Sequence, residues 1–488
     1  MIGNESLLQL ALLLPLVAVA GIRLLGRHEN LREAVSLLAG TALFATVCSL
    51  YDPVFRGELV EIRWLELMPG LSLAFRAEPL GLLFSLIASF LWSVTTLYAI
   101  GYMRGHGEGN QTRFYSLFAV SIGAVMGIAF AENLFTLFVF YEVLTLSTYP
   151  LVTHAGTDKA RAGGRVYLGI LLGTSIGFFL LAIVATWLLA GTLSFTPGGV
   201  FDADTPRSLL SVLLALYVFG VGKAAVMPFH RWLPAAMVAP TPVSALLHAV
   251  AVVKAGVFVL LKVCLLIFGL DTLGSIPATE WLLYLAGISV LLASVVALRQ
   301  QNLKARLAYS TVSQLGYITM GALLATSAGF SGSALHIVMH AFGKITLFFC
   351  AGAILVAAHK TEIHQLRGIG RQMPVTMVAF FIASLSIIGI PPTGGTWSKW
   401  YLMLGTLEAG QWLLMALLMG SSLLSIAYLL PIPLRAFFSG NGQDSGGPPV
   451  AIREAPWPSL LAIGVTTLGC MLLLFYPNAF YQLIKVAL

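Results

Sequence analysis

The sequence is divided into about fourteen apolar runs, separated by short polar loops. A helix rises about 1.5 Å per residue, so roughly 20 apolar residues cross about 30 Å of hydrocarbon. This pattern predicts an all-α polytopic membrane protein with about fourteen transmembrane helices. The predicted spans are 6-25, 34-51, 79-102, 114-130, 132-153, 165-190, 208-238, 241-268, 279-297, 303-325, 332-358, 373-405, 410-438 and 456-476.

The composition supports a membrane protein and argues against several other classes. Hydrophobic residues make up 58% of the chain and charged residues only 10%, and the mean hydropathy is +0.91, outside the range of soluble domains. The net charge of +7 comes from basic residues scattered over many loops, so we expect no nucleic-acid binding. The four cysteines stand singly in apolar runs, so we expect no metal, disulfide or cofactor site built on them.

The loop charges predict the orientation of the chain in the bilayer. Loops after odd-numbered spans hold sixteen Lys and Arg residues, and loops after even-numbered spans hold four. By the positive-inside rule the odd-following loops are cytoplasmic, which puts both termini on the non-cytoplasmic side. We therefore expect a multi-pass protein of a prokaryotic inner (plasma) membrane. The external segment from Asp52 to Glu78 is predicted to form a small cap, and the Gly/Pro-rich segment from Ser439 to Pro449 a flexible loop.

Two predicted spans, the seventh and the twelfth, are too long for one straight crossing. The seventh contains VMPFHRWLP and the twelfth contains GIPPTGGTWSKW. Proline lacks the N–H that continues a helix, so both spans are predicted to be broken helices. They are five spans apart, as expected for two five-helix repeats of opposite orientation. The predicted division is 1-110 for helices 1-3, 111-270 for the first repeat, 271-438 for the second repeat, and 439-488 for a loop and helix 14.

Ionisable residues inside the predicted spans are the candidate functional residues. Each costs at least about 2.5 to 3.5 kcal/mol in hydrocarbon, so it normally faces protein or a hydrated cavity. Glu142 lies near the middle of span five, and Lys223 lies just before the break in span seven. A buried lysine beside a carboxylate keeps its proton, so opening a Glu142–Lys223 pair would release that proton to groups further in. A static ion pair that locks two helices is the alternative.

Span eight and the break in span seven supply three further candidates. Lys254 lies near the middle of span eight and is the predicted central proton carrier. His248 lies six residues earlier, about 600° of helix turn, so the two side chains are expected on different sides of the helix. His248 would relay protons through water or hydrogen-bond a neighbouring helix. His230, at the break, would hold the half-helix ends together or carry protons.

Span eleven places His336, His340 and Lys344 at four-residue steps, and hence on one helix face. Histidine, with an ordinary pKa near 6.5, suits a relay that loads and unloads protons at physiological pH. Metal ligation by the histidine pair and a simple helix contact are the alternatives. No Cys or carboxylate lies nearby in sequence, so we expect no metal.

The remaining candidates lie near breaks or span ends. Lys399 follows Gly395 by four residues in the second break and is the candidate for the far end of the path, with a lysine that reaches to the membrane interface as the alternative. Glu132 and Lys304 lie near span ends and are secondary candidates.

Five strings in this order resemble the antiporter-like subunits shared by respiratory complex I, membrane-bound hydrogenases and Mrp-type multisubunit cation/proton antiporters. The resemblance covers roughly residues 75 to 435 and implies a fourteen-helix, inverted-repeat fold with a proton channel. It places the family's proton-path residues at Glu142, Lys223, Lys254, His336 or His340, and Lys399. The strings are AENLFTLFVFYEVLTLSTYPLV, PFHRWLPAAMVAPTPVSALLHA, NLKARLAYSTVSQLGYI, HAFGKITLFF and GIPPTGGTWSKW.

Our functional prediction is a proton-translocating membrane component of a multisubunit cation/proton antiporter, similar to the D-type component of Mrp antiporters. It would act with other membrane subunits, and Na⁺ and K⁺ are the candidate coupling cations. The first alternative is a proton-pumping component of a complex I-type or hydrogenase-type redox complex. A structural subunit without an ion path and a membrane redox enzyme that binds haem through its histidines are two others. We expect part of a transporter and not an enzyme, with no cofactor of its own.

Overall fold

Helices account for most of the computed structural model, which describes residues 3–439 and 451–488. The predicted flexible loop therefore lies outside the described residues except for Ser439. The helices of the first part of the chain are α1 (Asn4–Leu24), α2 (Glu29–Ser49), α3 (Tyr51–Phe55), α4 (Pro79–Gly105), α5 (Gln111–Ala129), α6 (Leu134–Val152), α7 (Asp158–Thr174), α8 (Leu180–Ala190), α9 (Arg207–Gly220), α10 (Trp232–Ala235), α11 (Thr241–Ala245), α12 (Val252–Val263) and α13 (Leu270–Ser275).

Nine more helices follow in the second part of the chain. They are α14 (Pro277–Arg299), α15 (Leu303–Leu323), α16 (Ser327–Ala358), α17 (Pro374–Ile388), α18 (Gly395–Glu408), α19 (Trp412–Leu429), α20 (Pro431–Phe438), α21 (Trp457–Phe475) and α22 (Asn478–Ala487). Side-chain caps fix the first turns of several helices that carry candidate residues. Asn133, Asn302 and Thr326 accept backbone N–H bonds at the starts of α6, α15 and α16, which satisfies donors that a helix otherwise leaves free.

The chain is a multi-pass membrane protein, as the apolar runs predict. Eleven helical segments in the described ranges are long and apolar enough to cross a bilayer. The other three predicted spans are helical too, but they differ in length or polarity. Helices α9 and α17 have only 14 and 15 residues because each ends at a break, and α15 has 21 residues but carries Lys, Arg and Gln side chains. The arrangement of the spans as two inverted repeats stays a prediction.

The segment before α4, which the charge pattern predicts to be external, contains a β-hairpin, where the sequence predicted only a small cap. Strands β1 (Glu61–Met68) and β2 (Leu71–Arg76) pair antiparallel, with Glu61 opposite Arg76. The rings of Trp64 and Phe75 pack 4.7 Å apart, from centroid to centroid. The hairpin thus brings Arg76 to the start of α4.

The first break lies where it was expected, but the helix ends before Pro228. Helix α9 stops at Gly220, and a single 3₁₀ turn from Gly222 to Ala224 follows. A side chain at Gly220 would overlap the backbone of Phe179, so this close approach requires glycine. Ala225 then adopts a positive φ of 54°. Close packing therefore ends the helix, and Lys223 is left on a short irregular segment.

The second break separates α17 from α18. Gly389 ends α17 with φ of 87°, and α18 begins at Gly395, whose Cα approaches the carbonyl oxygen of Ser386 closely enough to exclude a side chain. Lys399 therefore lies in the second turn of α18, beside the end of α17.

Two segments form the centre of the bundle, and both carry candidate residues. Every residue in the most apolar stretch of the segment Thr241–Phe268, which includes α11 and α12, is buried. In the most apolar stretch of α16, 83% of the residues are buried. Helix α16 packs against α11, α12, α15, α17 and α18. By contrast, only 33% of the residues in the most apolar stretches of α1 and α2 are buried. The candidate residues of spans eight and eleven thus face each other in the interior.

Candidate functional site

Lys223 is fully buried beside α6. Its Nζ donates to the Tyr141 carbonyl oxygen at 2.9 Å and to the Thr145 hydroxyl at 2.6 Å. The same ammonium lies 3.1 Å from the centroid of the Tyr141 ring, which adds a cation–π contact. Its backbone N–H donates to the Tyr141 hydroxyl at 3.2 Å. Neutral oxygens and one aromatic face therefore surround this amine.

The predicted direct pair between Glu142 and Lys223 does not form in this structure. Both carboxylate oxygens of Glu142 are buried and have no hydrogen-bond partner among the described residues. Helix α6 explains the difference, because the carbonyl of Tyr141 and the hydroxyl of Thr145 lie on the side that faces the 3₁₀ turn. Lys223 binds these two groups instead of the carboxylate, although Glu142 remains close enough to act on it electrostatically.

Lys254 on α12 contacts His340 on α16. Its Nζ lies 2.6 Å from Nδ1 of His340, and the two residues are each 1% exposed. The other ring nitrogen of His340 has no partner among the described residues. This contact links the two central segments through a pair of groups that both bind and release protons.

His336 extends this contact towards α15 and α18. Its ring stacks on that of His340 with centroids 5.7 Å apart. Its Nδ1 lies 2.8 Å from the Ser398 hydroxyl, and its Nε2 lies 3.0 Å from Oε1 of Gln314. These two contacts hold the His336 ring between α15 and α18.

Lys399 lies beside Tyr317, whose ring stacks on that of His336. Its Nζ donates to the Ile388 carbonyl oxygen at 3.0 Å and to the Ser422 hydroxyl at 2.9 Å. It also lies 4.7 Å from the centroid of the Tyr317 ring, which stacks on His336 at 5.7 Å. A cavity of about 270 Å³ adjoins the amine and is lined by Ser422 and apolar side chains of α17 to α19.

His248 and Lys254 both lie against α16. The His248 ring packs 4.7 Å from the Phe348 ring, and Phe348 belongs to α16 as His340 does. His248 lies in a π-helical turn from Leu246 to Val250, which the sequence did not predict, and the placement of the two side chains on different sides of their own helix stays a prediction. Neither ring nitrogen of His248 has a partner among the described residues.

Lys344 continues the polar face of α16 towards α15. Its Nζ donates to the Leu307 carbonyl oxygen of α15 at 3.1 Å, and His336 reaches the same helix through Gln314. Lys304 is close by on α15 and donates to the Ala239 carbonyl oxygen at 2.6 Å. Lys344 and Lys304 are both close enough to His248 to act on it electrostatically.

A cavity of about 580 Å³ adjoins Lys304. Its lining includes Glu108, Lys159 and Glu362, which belong to loops that the charge pattern assigns to the cytoplasm. A polar cavity of this size can hold water.

His230, the remaining candidate of the first break, is half-buried. Its ring centroid lies 6.3 Å from that of Tyr309, apart from the other candidates.

A buried ionic cluster that the sequence did not predict lies at the opposite end of span eight. Lys262 is fully buried, and its Nζ lies 3.0 Å from Oε2 of Glu78 and 2.6 Å from the Ala131 carbonyl oxygen. Arg76 of the hairpin is 4.0 Å from Glu78 and 3.4 Å from Glu132. Glu132 thus belongs to this cluster and not to the chain around Lys254. Lys262 could have been found from the sequence, since it is flanked by apolar residues just as Lys254 is.

The candidate residues therefore form two neighbouring groups. The first group is Glu142 and Lys223, and the second is Lys254, His340, His336 and Lys399. The backbone of Lys223 touches Gly256 on α12, two residues from Lys254, so the groups adjoin at this helix. The described residues contain no cluster of three or more His, Cys, Asp or Glu side chains that could hold a metal ion. The lysine, histidine and glutamate side chains of both groups can bind and release protons.

Comparison with known proteins gives consistent matches. The model of the family described as NADH:quinone oxidoreductase/Mrp antiporter, TM, matches residues 131–425. NADH-quinone oxidoreductase subunit N of Desulforudis audaxviator is 32% identical over 496 positions, with 98% of each chain covered. The A/B component of a probable K(+)/H(+) antiporter of Rhizobium meliloti is 34% identical over 75% of this chain, but this chain spans only 37% of that protein.

A solved structure shares the fold. A chain of the membrane-bound sulfane sulfur reductase, an archaeal respiratory membrane complex, superposes with a TM-score of 0.86 and 24% identity. The superposition covers 98% of this chain and 96% of the other, so the likeness extends over the whole bundle.

Proposed function

The chain belongs to the NADH:quinone oxidoreductase/Mrp antiporter membrane family, and on this basis we propose that it is a proton-translocating subunit of a larger complex in a prokaryotic plasma membrane. The main support for this proposal is the 2.6 Å contact between Nζ of Lys254 and Nδ1 of His340. It joins two proton-exchanging groups at the buried centre of the bundle, where a charge without such a role is expensive to keep.

In the proposed path, Lys254 passes a proton to Nδ1 of His340, and the bond between them requires no movement of either helix. The stacked rings of His340 and His336 share no hydrogen bond, so the next transfer needs a bridging group or a rotation of one ring. His336 then passes the proton through a second bridging group to Lys399, with which it shares no hydrogen bond among the described residues, and Lys399 opens to the cavity beside Ser422. Glu142 controls Lys223 by its charge, and changes in that pair act on Lys254 through α12.

Water reaches this path, in our proposal, from the predicted cytoplasmic cavity next to Lys304. His248 lies between that cavity and the centre, within electrostatic range of Lys304 and Lys344. Both of its ring nitrogens are free to bond water among the described residues. His248 and Lys344 thus connect the cavity with the Lys254–His340 contact.

Two sources of driving force fit the family, and the sequence match to a quinone oxidoreductase relative, 32% identical from end to end, supports the redox-driven one. The length of the chain does not decide between them, because a chain of a solved Mrp complex is also covered over 97% of its length. The second candidate is the sequence-based prediction of an Mrp D-like antiporter component that exchanges Na⁺ or K⁺ for protons.

The test is proton movement in inverted membrane vesicles that contain the assembled complex. Vesicles are energised with NADH in one arm and with a pulse of Na⁺ or K⁺ in the other, and a pH-sensitive dye reports transport. Mass spectrometry of the proteins that co-purify with a tagged chain identifies the assembly. Transport at the full rate in a normally assembled Lys254→Met variant would contradict the proposal, and Lys485→Gln, which changes an exposed lysine of α22, is the control.

The same vesicles separate our proposal from a purely structural role. A structural role predicts that Lys254→Met lowers the amount of assembled complex and leaves the turnover of the surviving complex unchanged. Proton carriage predicts the reverse, normal assembly and low turnover. A visible spectrum of the purified complex, after removal of haem-containing subunits, tests the remaining hypothesis of haem binding.

A further inference from the structure

A small polar cavity that plays no part in the proposed proton path lies near the C-terminal end of α14. Its volume is about 200 Å³, and its lining includes Gln301, His364 and the three arginines Arg306, Arg367 and Arg435. These residues lie in or beside loops that the charge pattern assigns to the cytoplasm. Three guanidinium groups therefore border one small space.

Arg306 forms the fixed wall of this cavity. It is 7% exposed, and its Nε and Nη2 donate to the Gln300 carbonyl oxygen at 3.0 and 2.7 Å. Further bonds reach the carbonyl oxygens of Tyr428 at 3.0 Å and Leu298 at 3.2 Å. A guanidinium has five N–H groups, so these four bonds leave one for a ligand. The backbone carbonyls orient Arg306 without neutralising its charge.

The charge of this cavity is uncompensated within the described residues. The cavity lining contains no carboxylate, and none of the three arginines has a carboxylate partner within 4.0 Å in residues 3–439 and 451–488. Acidic residues of the neighbouring loops are engaged elsewhere. Glu362 binds Asn302 at 3.1 Å, and Glu454 binds the Val375 N–H at 2.7 Å. Repulsion between the arginines favours any anion that enters.

We propose that this cavity binds a phosphate group. The parallel N–H groups of a guanidinium match the oxygens of phosphate and make charge-assisted hydrogen bonds to them. Because Arg367 and Arg435 are exposed, their side chains can close over an anion held against Arg306. The group belongs to an anionic phospholipid or to free phosphate. Helix α20 supports the lipid source, since Leu434 and Phe438 are 44% and 82% exposed beside Arg435 and offer an apolar surface to acyl chains.

The test compares two double variants of the complex purified with its own subunits. Arg367→Gln/Arg435→Gln removes the two exposed arginines, and Arg161→Gln/Arg165→Gln removes two exposed arginines from another predicted cytoplasmic loop. In one arm, native mass spectrometry follows phosphatidylglycerol titrated into delipidated complex. In the other, calorimetry follows inorganic phosphate alone. Thermal melting checks that both variants fold.

We expect the parent complex and the control to bind one of these ligands saturably, and the Arg367/Arg435 variant to bind it about tenfold or more weakly. Retention of phosphatidylglycerol identifies a lipid headgroup site, and binding of inorganic phosphate without the lipid identifies a free phosphate site. If neither ligand binds, or if both double variants lose affinity equally, the proposal is wrong, because general attraction to a basic surface would then explain the result.

Discussion

The Nζ atom of Lys254 lies 2.6 Å from Nδ1 of His340, and this contact joins two deeply buried segments of the bundle. Replacing Lys254 by arginine keeps the positive charge but provides a group that does not deprotonate. We expect Lys254→Arg and Lys254→Met both to lower proton transport by about 10²-fold or more. Vesicle acidification, divided by the amount of assembled complex, is the measurement. Full rescue by arginine would mean that Lys254 only supplies charge.

Substitution of Glu142 distinguishes a carboxylate that controls proton release from one that only locks two helices together. Its carboxylate oxygens are buried without partners among the described residues, so Glu142→Gln breaks no hydrogen bond that this structure shows. We therefore expect unchanged or higher thermal stability together with strongly reduced transport. Melting and transport are measured on one preparation. A large loss of stability with normal transport per complex would instead indicate a locked ion pair.

The buried pair of Lys262 and Glu78 is expected to stabilise the fold without carrying protons in the central path. Removing one partner of a buried pair costs about 3 kcal/mol or more when the remaining charge has no other partner, and here Arg76, 4.0 Å from Glu78, offsets part of that cost. Lys262→Met should therefore destabilise the protein more than Lys262→Met combined with Glu78→Gln. Thermal unfolding of the two single variants and the double variant measures the coupling. Additive losses would show that the 3.0 Å contact contributes nothing.

Gly256 is expected to tolerate no side chain. A Cβ there would overlap the backbone of Lys223 and Ala224, so Gly256→Ala should cost about 1–3 kcal/mol and shift the first break. Gly173 in α7 has nothing within 4 Å of a built Cβ and is the matched control. Equal melting temperatures for the two variants would show that α12 and the break can separate freely.

His154, in the loop after α6, predicts a dependence of stability on pH. Its Nε2 donates to the Gly109 carbonyl oxygen at 3.0 Å, and its Nδ1 lies 3.5 Å from Nη2 of Arg113. Burial, followed by the Arg113 charge, lowers the pKa of His154, and Glu108 opposes this effect in part.

The unfolded chain therefore takes up this proton at a higher pH than the folded protein does. The stability contributed by neutral His154 is present above about pH 6.5 and is lost as the pH falls towards the lowered pKa of the folded state. Melting temperatures from about pH 8 to about pH 5 should fall less steeply in His154→Gln than in the parent. Parallel curves would exclude His154 as the cause.

The sequence predicted the spans, both breaks and the buried positions of Lys223, Lys254, His336 and Lys399, because each depends on local hydropathy or on proline. It could not predict partners distant in the chain. The contact of Lys254 with His340 joins residues 86 positions apart, and only the packing of α12 on α16 creates it.

Irregular backbone explains the prediction that failed. The direct Glu142–Lys223 pair was expected from charge alone, whereas the 3₁₀ turn after α9 directs the amine to a carbonyl and a hydroxyl of α6. The sequence carries no clear signal for this 3₁₀ turn, nor for the π-helical turn from Leu246 to Val250.

The π-helical turn before Lys254 has a mechanical consequence. A helix with one extra residue in a turn can pass that irregularity along its axis, and each step rotates the downstream side chains while both ends stay anchored. If the turn migrated past Lys254, the amine would swing away from His340 without any sliding of whole helices. A small local rearrangement of α12 would then control when Lys254 transfers its proton to His340.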